Sequence, residues 1–257
     1  MGQIVKRYVV ISDLQLPYEH KRAVAALLDY VKKTKPDGLV CVGDEADLPM
    51  VSRWESGGRC EYSLQLQKQL DYTKDLLTKF RVALGDNKPF WVARSNHTDR
   101  LEKYIELKAP ALKSLNLSYD KLVGMPELGI TYNKTLTKIA PNTIMGHGDE
   151  YKISQVAGMT ALKLMEQTGQ NVVIGHTHRQ GIVYRSEGHS GHVSARWGME
   201  AGHLMDIRQA GYLRPLGAAN WQLGFAELFI EGNLVVPQLI PMANDGSFVA
   251  LGKVWGK

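Results

Sequence analysis

Apolar runs alternate with amphipathic stretches along most of the chain, and each short run gives way to a polar cluster. Residues 5–12 carry Val5, Tyr8, Val9, Val10 and Ile11 and predict a buried first strand. Val24, Leu27, Leu28 and Val31 then fall on one face of a helix, which Lys35-Pro36-Asp37-Gly38 ends. Leu39 to Val42 is a second apolar strand, closed by Gly43-Asp44. Residues 62–83 place Leu66, Leu70, Leu77 and Phe80 at helical spacing, and Phe90 to Ala93 is a third strand running into Asn96-His97. This alternation predicts parallel strands with helices packed on the sheet.

The stretch 109–141 is less regular and reads as an excursion. Thr143 to Met145 is a short strand ending near His147, residues 154–167 a helix, and Asn171 to Ile174 a strand ending at Gly175-His176. After residue 181 the pattern changes to short alternating strands. Phe225 to Ile230, Leu234 to Leu239 and Phe248 to Val254 read as a meander with turns at Glu231-Gly232-Asn233 and Asn244-Asp245-Gly246. No linker or repeat interrupts the chain, so residues 1–257 read as one domain with two sheets.

The polar clusters carry the chemistry. They are Asp13-Leu14-Gln15, Gly43-Asp44-Glu45-Ala46-Asp47, Asn96-His97, Gly146-His147-Gly148 and Gly175-His176-Thr177-His178. All are predicted to lie in loops just past strand C-termini, the edge where open α/β sheets build their sites. Carboxylates, amide oxygens and imidazoles together make the ligand set of a hydrolytic site for divalent metals. Such a site lowers the pKa of a bridging water and holds phosphate oxygens.

Charge and cysteine usage add little. Lys and Arg number 31 against 26 Asp and Glu, a formal charge of +5, which suits a polyanionic substrate such as a nucleotide or nucleic acid. No run of about 18 apolar residues is present, so no membrane partner is expected. Met1 to Arg7 lack the apolar core of a signal peptide, and Cys41 and Cys60 read as free thiols of a reducing cytoplasm.

The motif set, in this order and over residues 13 to 178, resembles the calcineurin-like metallophosphoesterases, and phage-encoded members most of all. The resemblance implies a four-layer α/β/β/α sandwich of two mixed sheets flanked by helices, with the C-terminal meander in the second sheet. It implies two divalent ions, Mn²⁺ first, with Mg²⁺, Fe or Zn²⁺ as alternatives. Asp13, Gln15, Asp44 and His178 would hold the first ion. Asp44 would bridge to a second held by Asn96, His147 and His176. His97 would protonate the leaving oxygen or touch the phosphate, and Asp47, Arg94 and Arg100 would support the loops or the substrate.

Two positions depart from the family pattern. Gln15 stands where the family usually has His, and an amide oxygen is a harder, weaker ligand than imidazole. Ser95 replaces the usual Gly before Asn-His, tolerable unless that position needs positive φ. The expected activity is hydrolysis of nucleotide-type phosphodiesters, cyclic nucleotides included. A phosphomonoesterase, a DNA nuclease and a metal-poor interaction scaffold are the competing readings. Tyr18 and Trp54 lie near motif loops, either as packing residues or as stacking faces for a base. His20, His189 and His192 read as surface or packing residues, and His203 is the one that could face the cleft.

Overall fold

The computed structural model describes residues 5–209 and 219–257; the leader reading of Met1 to Arg7 falls mostly outside them. Strand β1 (Lys6–Ile11) runs parallel to β2 (Gly38–Cys41), which runs parallel to β3 (Phe90–Ala93) and then to β4 (Thr131–Asn133). A second sheet pairs β5 (Thr137–Ala140), β6 (Thr143–Met145) and β7 (Asn171–Ile174) with the hairpin β8 (Gln180–His189) and β9 (His192–Ala201), in the order β5-β6-β7-β9-β8. β6, β7 and β9 are parallel there, and β5 and β8 are the antiparallel edges.

Alternation along each strand explains the layers. Val9 and Ile11 of β1, Leu39 and Cys41 of β2, and Phe90 and Val92 of β3 face helices α1 (Lys21–Thr34) and α2 (Leu66–Leu84). The intervening Val10, Val40 and Ala93 point the other way. They meet Met145, Val173, Trp197 and Met199 of the second sheet. Beyond that sheet, Ile144, Val172 and Ile174 pack on Ala161, Leu164 and Met165 of an outer helix (Met159–Thr168). Strands covered on both faces need unbroken apolar runs, as the sequence shows. The result is the expected α/β/β/α sandwich.

Several boundaries differ from the expectation for identifiable reasons. α2 begins at Leu66 rather than 62, because Leu64 adopts φ 56 and stops the helix short. The outer helix begins at Met159 rather than 154. Gly158, at φ 81, turns the chain where a Cβ would sit 2.6 Å from Val183. Helix α3 (Asp99–Lys108) precedes the excursion at 109–141, which contains β4 and β5, extending one sheet each, and two short helical segments, Pro110–Leu115 and α4 (Tyr119–Leu122). The outer helix is α5.

The C-terminal meander is a correction. β10 (Gly224–Glu231) pairs antiparallel with β1, Lys6 opposite Ile230, and β11 (Leu234–Pro241) pairs with β10. Both therefore extend the first sheet, not the second, along the edge of β1 that β2 leaves free. The expected strand 248–254 is a small separate hairpin, β12 (Phe248–Ala250) and β13 (Lys253–Trp255), folded at Leu251-Gly252. It packs on α1, with the Trp255 and Tyr30 rings 4.9 Å apart. Cys41 and Cys60 are both free. Among the described residues no helix is long and apolar enough to cross a membrane.

Gly198 in β9 lies directly under α5, where an added Cβ would stand 2.4 Å from the Ala161 carbonyl carbon and 2.5 Å from the Leu162 nitrogen. Helix backbone cannot yield as a flexible side chain does. Gly198→Ala is expected to cost about 1–3 kcal/mol of stability in urea denaturation. An unchanged midpoint would show that α5 is not seated on β9.

Candidate metal centre and its cleft

Five strand ends deliver the clusters to one place. β1 ends at Ser12-Asp13, β2 at Gly43-Asp44, β3 at Ser95-Asn96-His97, β6 at His147, and β7 at Gly175-His176-Thr177-His178. The first two loops are zipped by backbone bonds from Asp13 N to Gly43 O (3.1 Å) and Gln15 N to Asp44 O (2.8 Å). Asp13, Gln15, Asp44, His176 and His178 all adopt positive φ between 48° and 63°. Left-handed backbone at a non-glycine residue costs energy that the surroundings must offset. Here it turns each side chain back over the end of its strand.

Ser95 does not need positive φ. Its backbone N–H donates to Thr98 Oγ1 at 2.9 Å, and the Thr98 N–H donates to Ser95 Oγ at 3.2 Å. This reciprocal pair starts α3 and fixes Asn96 and His97 between its members.

His147 lies at the centre of the electron-pair problem. Its Nδ1 is 2.8 Å from the Val42 carbonyl oxygen, which can only accept, so Nδ1 carries a proton. Nε2 of the neutral ring is then a lone pair. Around it stand Asn96 Oδ1 at 2.9 Å, His176 Nδ1 at 3.1 Å and Asp44 Oδ2 at 3.3 Å. Four electron-rich atoms converge where one proton at most can sit.

The other side of Asp44 repeats the pattern. Asp44 Oδ1 is buried with no hydrogen-bond partner, and so is Asp13 Oδ1. Asp13 Oδ2 is tied down by the Ser12 hydroxyl and, at 2.9 Å, by the His176 N–H, which leaves Oδ1 facing His178 Nε2 at 3.0 Å. Asp13, Asp44 and His178 thus form one group of ligand atoms within 4.8 Å of one another, and Asp44, His147 and His176 form another. Asp44 belongs to both. Gln15 lies beside this group, its Nε2 3.1 Å from His178 Nε2, and a half-turn of its last bond would present the carboxamide oxygen instead.

The titration behaviour reflects the same demand for positive charge. Burial pushes the Asp44 carboxyl up, but His147 and His97 outweigh it and hold it well below the ordinary range. Burial pushes His147 down, yet the Asp44 and Asp13 carboxylates raise it to about 10. His176 is lowered by burial and by its neighbour His147. A divalent ion meets this demand in place of a proton. The buried, unpartnered carboxylate oxygens and mixed O/N donor set fit such an ion on each side of Asp44.

The remaining sequence-predicted residues divide. His97 Nδ1 lies 2.8 Å from Asp47 Oδ1, and His97 Nε2 lies 3.8 Å from Asp44 Oδ2. Burial lowers its pKa, but Asp44 and Asp47 more than offset this and raise it. Arg100 donates to His97 Nε2 at 3.0 Å and ion-pairs with Asp47 at 3.3 Å. His97, Asp47, Arg100, Gln15, Tyr18 and Trp54 line a cleft of about 720 Å³. Arg94 does not line it; its guanidinium is engaged by Asp149 and, at 3.1 Å, Asp99. His20 caps α1 by accepting from Ala23 N, and His189 and His192 pair at the exposed end of the β8–β9 hairpin. His203 is buried with its ring 5.6 Å from that of His178.

Four supporting residues escaped the sequence reading. Ser12 holds Asp13, and Glu150 accepts from the His147 and Gly148 N–H groups at 3.2 and 2.6 Å. Buried Glu200 accepts from Thr177 Oγ1 at 2.8 Å and so braces the His176–His178 loop. Trp221 packs its ring 4.3 Å from that of His178. Ser12 and Glu150 adjoin motif residues and were readable by proximity; Glu200 and Trp221 carried no local signal.

A profile described as calcineurin-like phosphoesterase matches residues 6–202. The chain belongs to this family of metal-dependent phosphoesterases, and the two Asp/His groups support divalent-metal binding. At the level of single proteins, it is 35% identical to the Gene 54 protein of Mycobacterium phage D29 over 254 residues, 97% of this chain and 98% of that one. The Gene 54 protein of Mycobacterium phage L5 is also 35% identical with the same coverage. The structure of Vacuolar Protein Sorting 29 from Cryptosporidium parvum aligns with TM-score 0.47 and 14% identity, covering 98% of this chain and 95% of that one.

Gln15 makes a measurable difference between the two groups. Calorimetric titration of metal-free protein with Mn²⁺ is expected to show two unequal sites, the weaker one bounded by Asp13 and His178. Gln15→His is expected to tighten the weaker site and to favour Zn²⁺ there. Two equal sites, unchanged in Gln15→His, would mean that residue 15 does not ligate.

Proposed function

We propose that the chain is a dinuclear metal-dependent phosphodiesterase acting on nucleotide-type diesters, cyclic nucleotides included, with Mn²⁺ as the working ion. The convergence of four electron-rich atoms on the His147 side of Asp44, mirrored on the Asp13 side, carries the metal dependence. When bound, the two ions would supply the charge that holds phosphate oxygens and activates water. Asp13, Gln15, Asp44 and His178 would hold the first ion, and Asp44, Asn96, His147 and His176 the second. The ligand oxygens of Asn96, Gln15 and the carboxylates favour a hard ion such as Mn²⁺. Both sheets would contribute ligands, so residues 1–257 would work as one domain, and the free Cys41 and Cys60 support a reducing cytoplasm.

The preference for diesters rests on His97. A diester expels an alkoxide, and an alkoxide benefits from a proton delivered as the bond breaks. His97 is buried beside Asp44, at the cleft wall, and Asp44 with Asp47 keeps its proton affinity up. Asp47 fixes the ring from Nδ1, which leaves Nε2 as the atom turned to the cleft. Arg100 donates to that atom, so a phosphate oxygen must draw the guanidinium away before Nε2 can deliver a proton. Arg100 would then serve as a phosphate contact.

His97→Ala is expected to lose roughly 10²–10⁴-fold on diesters with alkyl leaving groups, and far less on aryl diesters whose leaving group needs no proton. Its metal content should match the wild type, and chelator should abolish both activities with recovery on Mn²⁺. Equal losses on the two ester types would assign His97 to ground-state phosphate binding instead.

A further inference from the structure

The cleft over the metal centre does not end at Trp54. A second groove of about 500 Å³ opens on the other side of that ring. Arg53, Lys103, Tyr104 and Lys108 line it, together with Asn96 at its inner end. Ser52, Trp54 and Arg100 line both hollows, so the two adjoin along that ridge.

The ridge is built from two short helical turns, Pro49–Val51 and Arg53–Glu55, held by the Ser52 side chain accepting from the Trp54 N–H at 3.3 Å. Trp54 is 77% exposed. Burial therefore does not explain this indole. The Arg53 guanidinium lies 4.5 Å from the ring centroid, which leaves one face of the ring covered and the other open. Across the groove, Lys103 and the last residue of α3, Lys108, both line it, about 1.4 turns apart. Asp99 shares Lys103 at 3.3 Å, but Lys103 is 63% exposed on its side chain and that surface pair is weak.

We infer that this second groove binds the nucleotides flanking the scissile bond of a single-stranded nucleic acid, with Trp54 stacking on an unpaired base and Arg53, Lys103 and Lys108 following the backbone. The inference rests on the phosphodiesterase reading and names the substrate class of that site. An exposed indole flanked by cations is the stacking platform of single-strand binding, where each base offers a π-face whatever its sequence. A duplex offers no free base face to it. A small or cyclic nucleotide would fill the metal cleft and leave the second groove empty, whereas a polymer must continue past Asn96. Arg100, shared by both hollows, is the point where the chain would pass from one to the other.

The test separates binding from turnover. Fluorescence anisotropy with a labelled oligo-dT, in chelator so that nothing is cut, measures the groove alone. Trp54→Ala is expected to weaken binding roughly tenfold. The double variant Lys103→Gln/Lys108→Gln is expected to flatten the slope of log affinity against log salt by about 1.4, for two phosphate contacts at roughly 0.7 each. The Lys103→Gln/Lys108→Gln variant should hydrolyse a small aryl diester with Mn²⁺ as the wild type does, and the circular dichroism spectrum of Trp54→Ala should match the wild type, which shows that both variants fold. Wild-type protein that binds no oligo-dT, binds duplex DNA or a phosphoserine peptide as tightly, or loses nothing in either variant, overturns the inference. Failure of the wild type to cleave any diester would sink the phosphodiesterase reading alone, and the anisotropy titration would still decide the groove.

Discussion

The site depends on one constraint: buried carboxylates, an amide oxygen and imidazoles are crowded together with few protons to share. His147 has given its one proton to the Val42 carbonyl, and its remaining lone pair faces an amide oxygen, a second imidazole and a carboxylate. Burying such atoms together costs several kcal/mol per unpaired charge. The fold is organised to make that concentration of negative potential hold still, and positive charge is what relieves it. Asp44 stands at the hinge of the arrangement, because it belongs to both groups, with one oxygen 3.3 Å from His147 Nε2 and the other buried without a partner.

The sandwich makes this possible through strand direction. Within each sheet the parallel strands point their carboxyl ends at one edge, and the two sheets pack so that those edges adjoin. β1, β2 and β3 bring carboxylate and amide side chains, β6 and β7 bring imidazoles, and neither sheet alone holds both kinds in number. The apolar layer between them, from Val10 and Val40 to Met145 and Met199, is what fixes their separation. Backbone strain concentrates at the same edge. Five residues of the site sit in left-handed conformations, and the cross-loop bonds from Asp13 to Gly43 and from Gln15 to Asp44 hold three of them there. Gly175 shows how tight the junction is: an added Cβ would stand 2.6 Å from Asp13 Oδ2.

Much of this was legible in the sequence because the physics that sets it is local. β3, β6 and β7 fall where their apolar runs stand, and the polar clusters follow them directly. The four-layer architecture came from the family resemblance, and strands apolar on both faces agree with it. The pairing partner of the C-terminal strands was not legible. β10 and β11 alternate like strands of either sheet, and that alternation does not name β1 as the partner. β4 and β5 are too short to announce themselves within an irregular stretch. At the site, the ligand types were readable from motifs, but their supports were not. Glu200 and Trp221 reach the His176–His178 loop from distant sequence, and nothing near either residue marks the contact.

The central claim is that two cations share Asp44. Electron paramagnetic resonance of the protein loaded with two equivalents of Mn²⁺ tests it directly. Ions bridged by one carboxylate, about 3.5–4 Å apart as in two-metal hydrolytic sites, give the spectrum of an exchange-coupled pair. The account predicts that spectrum for the wild type and only uncoupled Mn²⁺ for Asp44→Ala. An uncoupled signal from the fully loaded wild-type protein would contradict it.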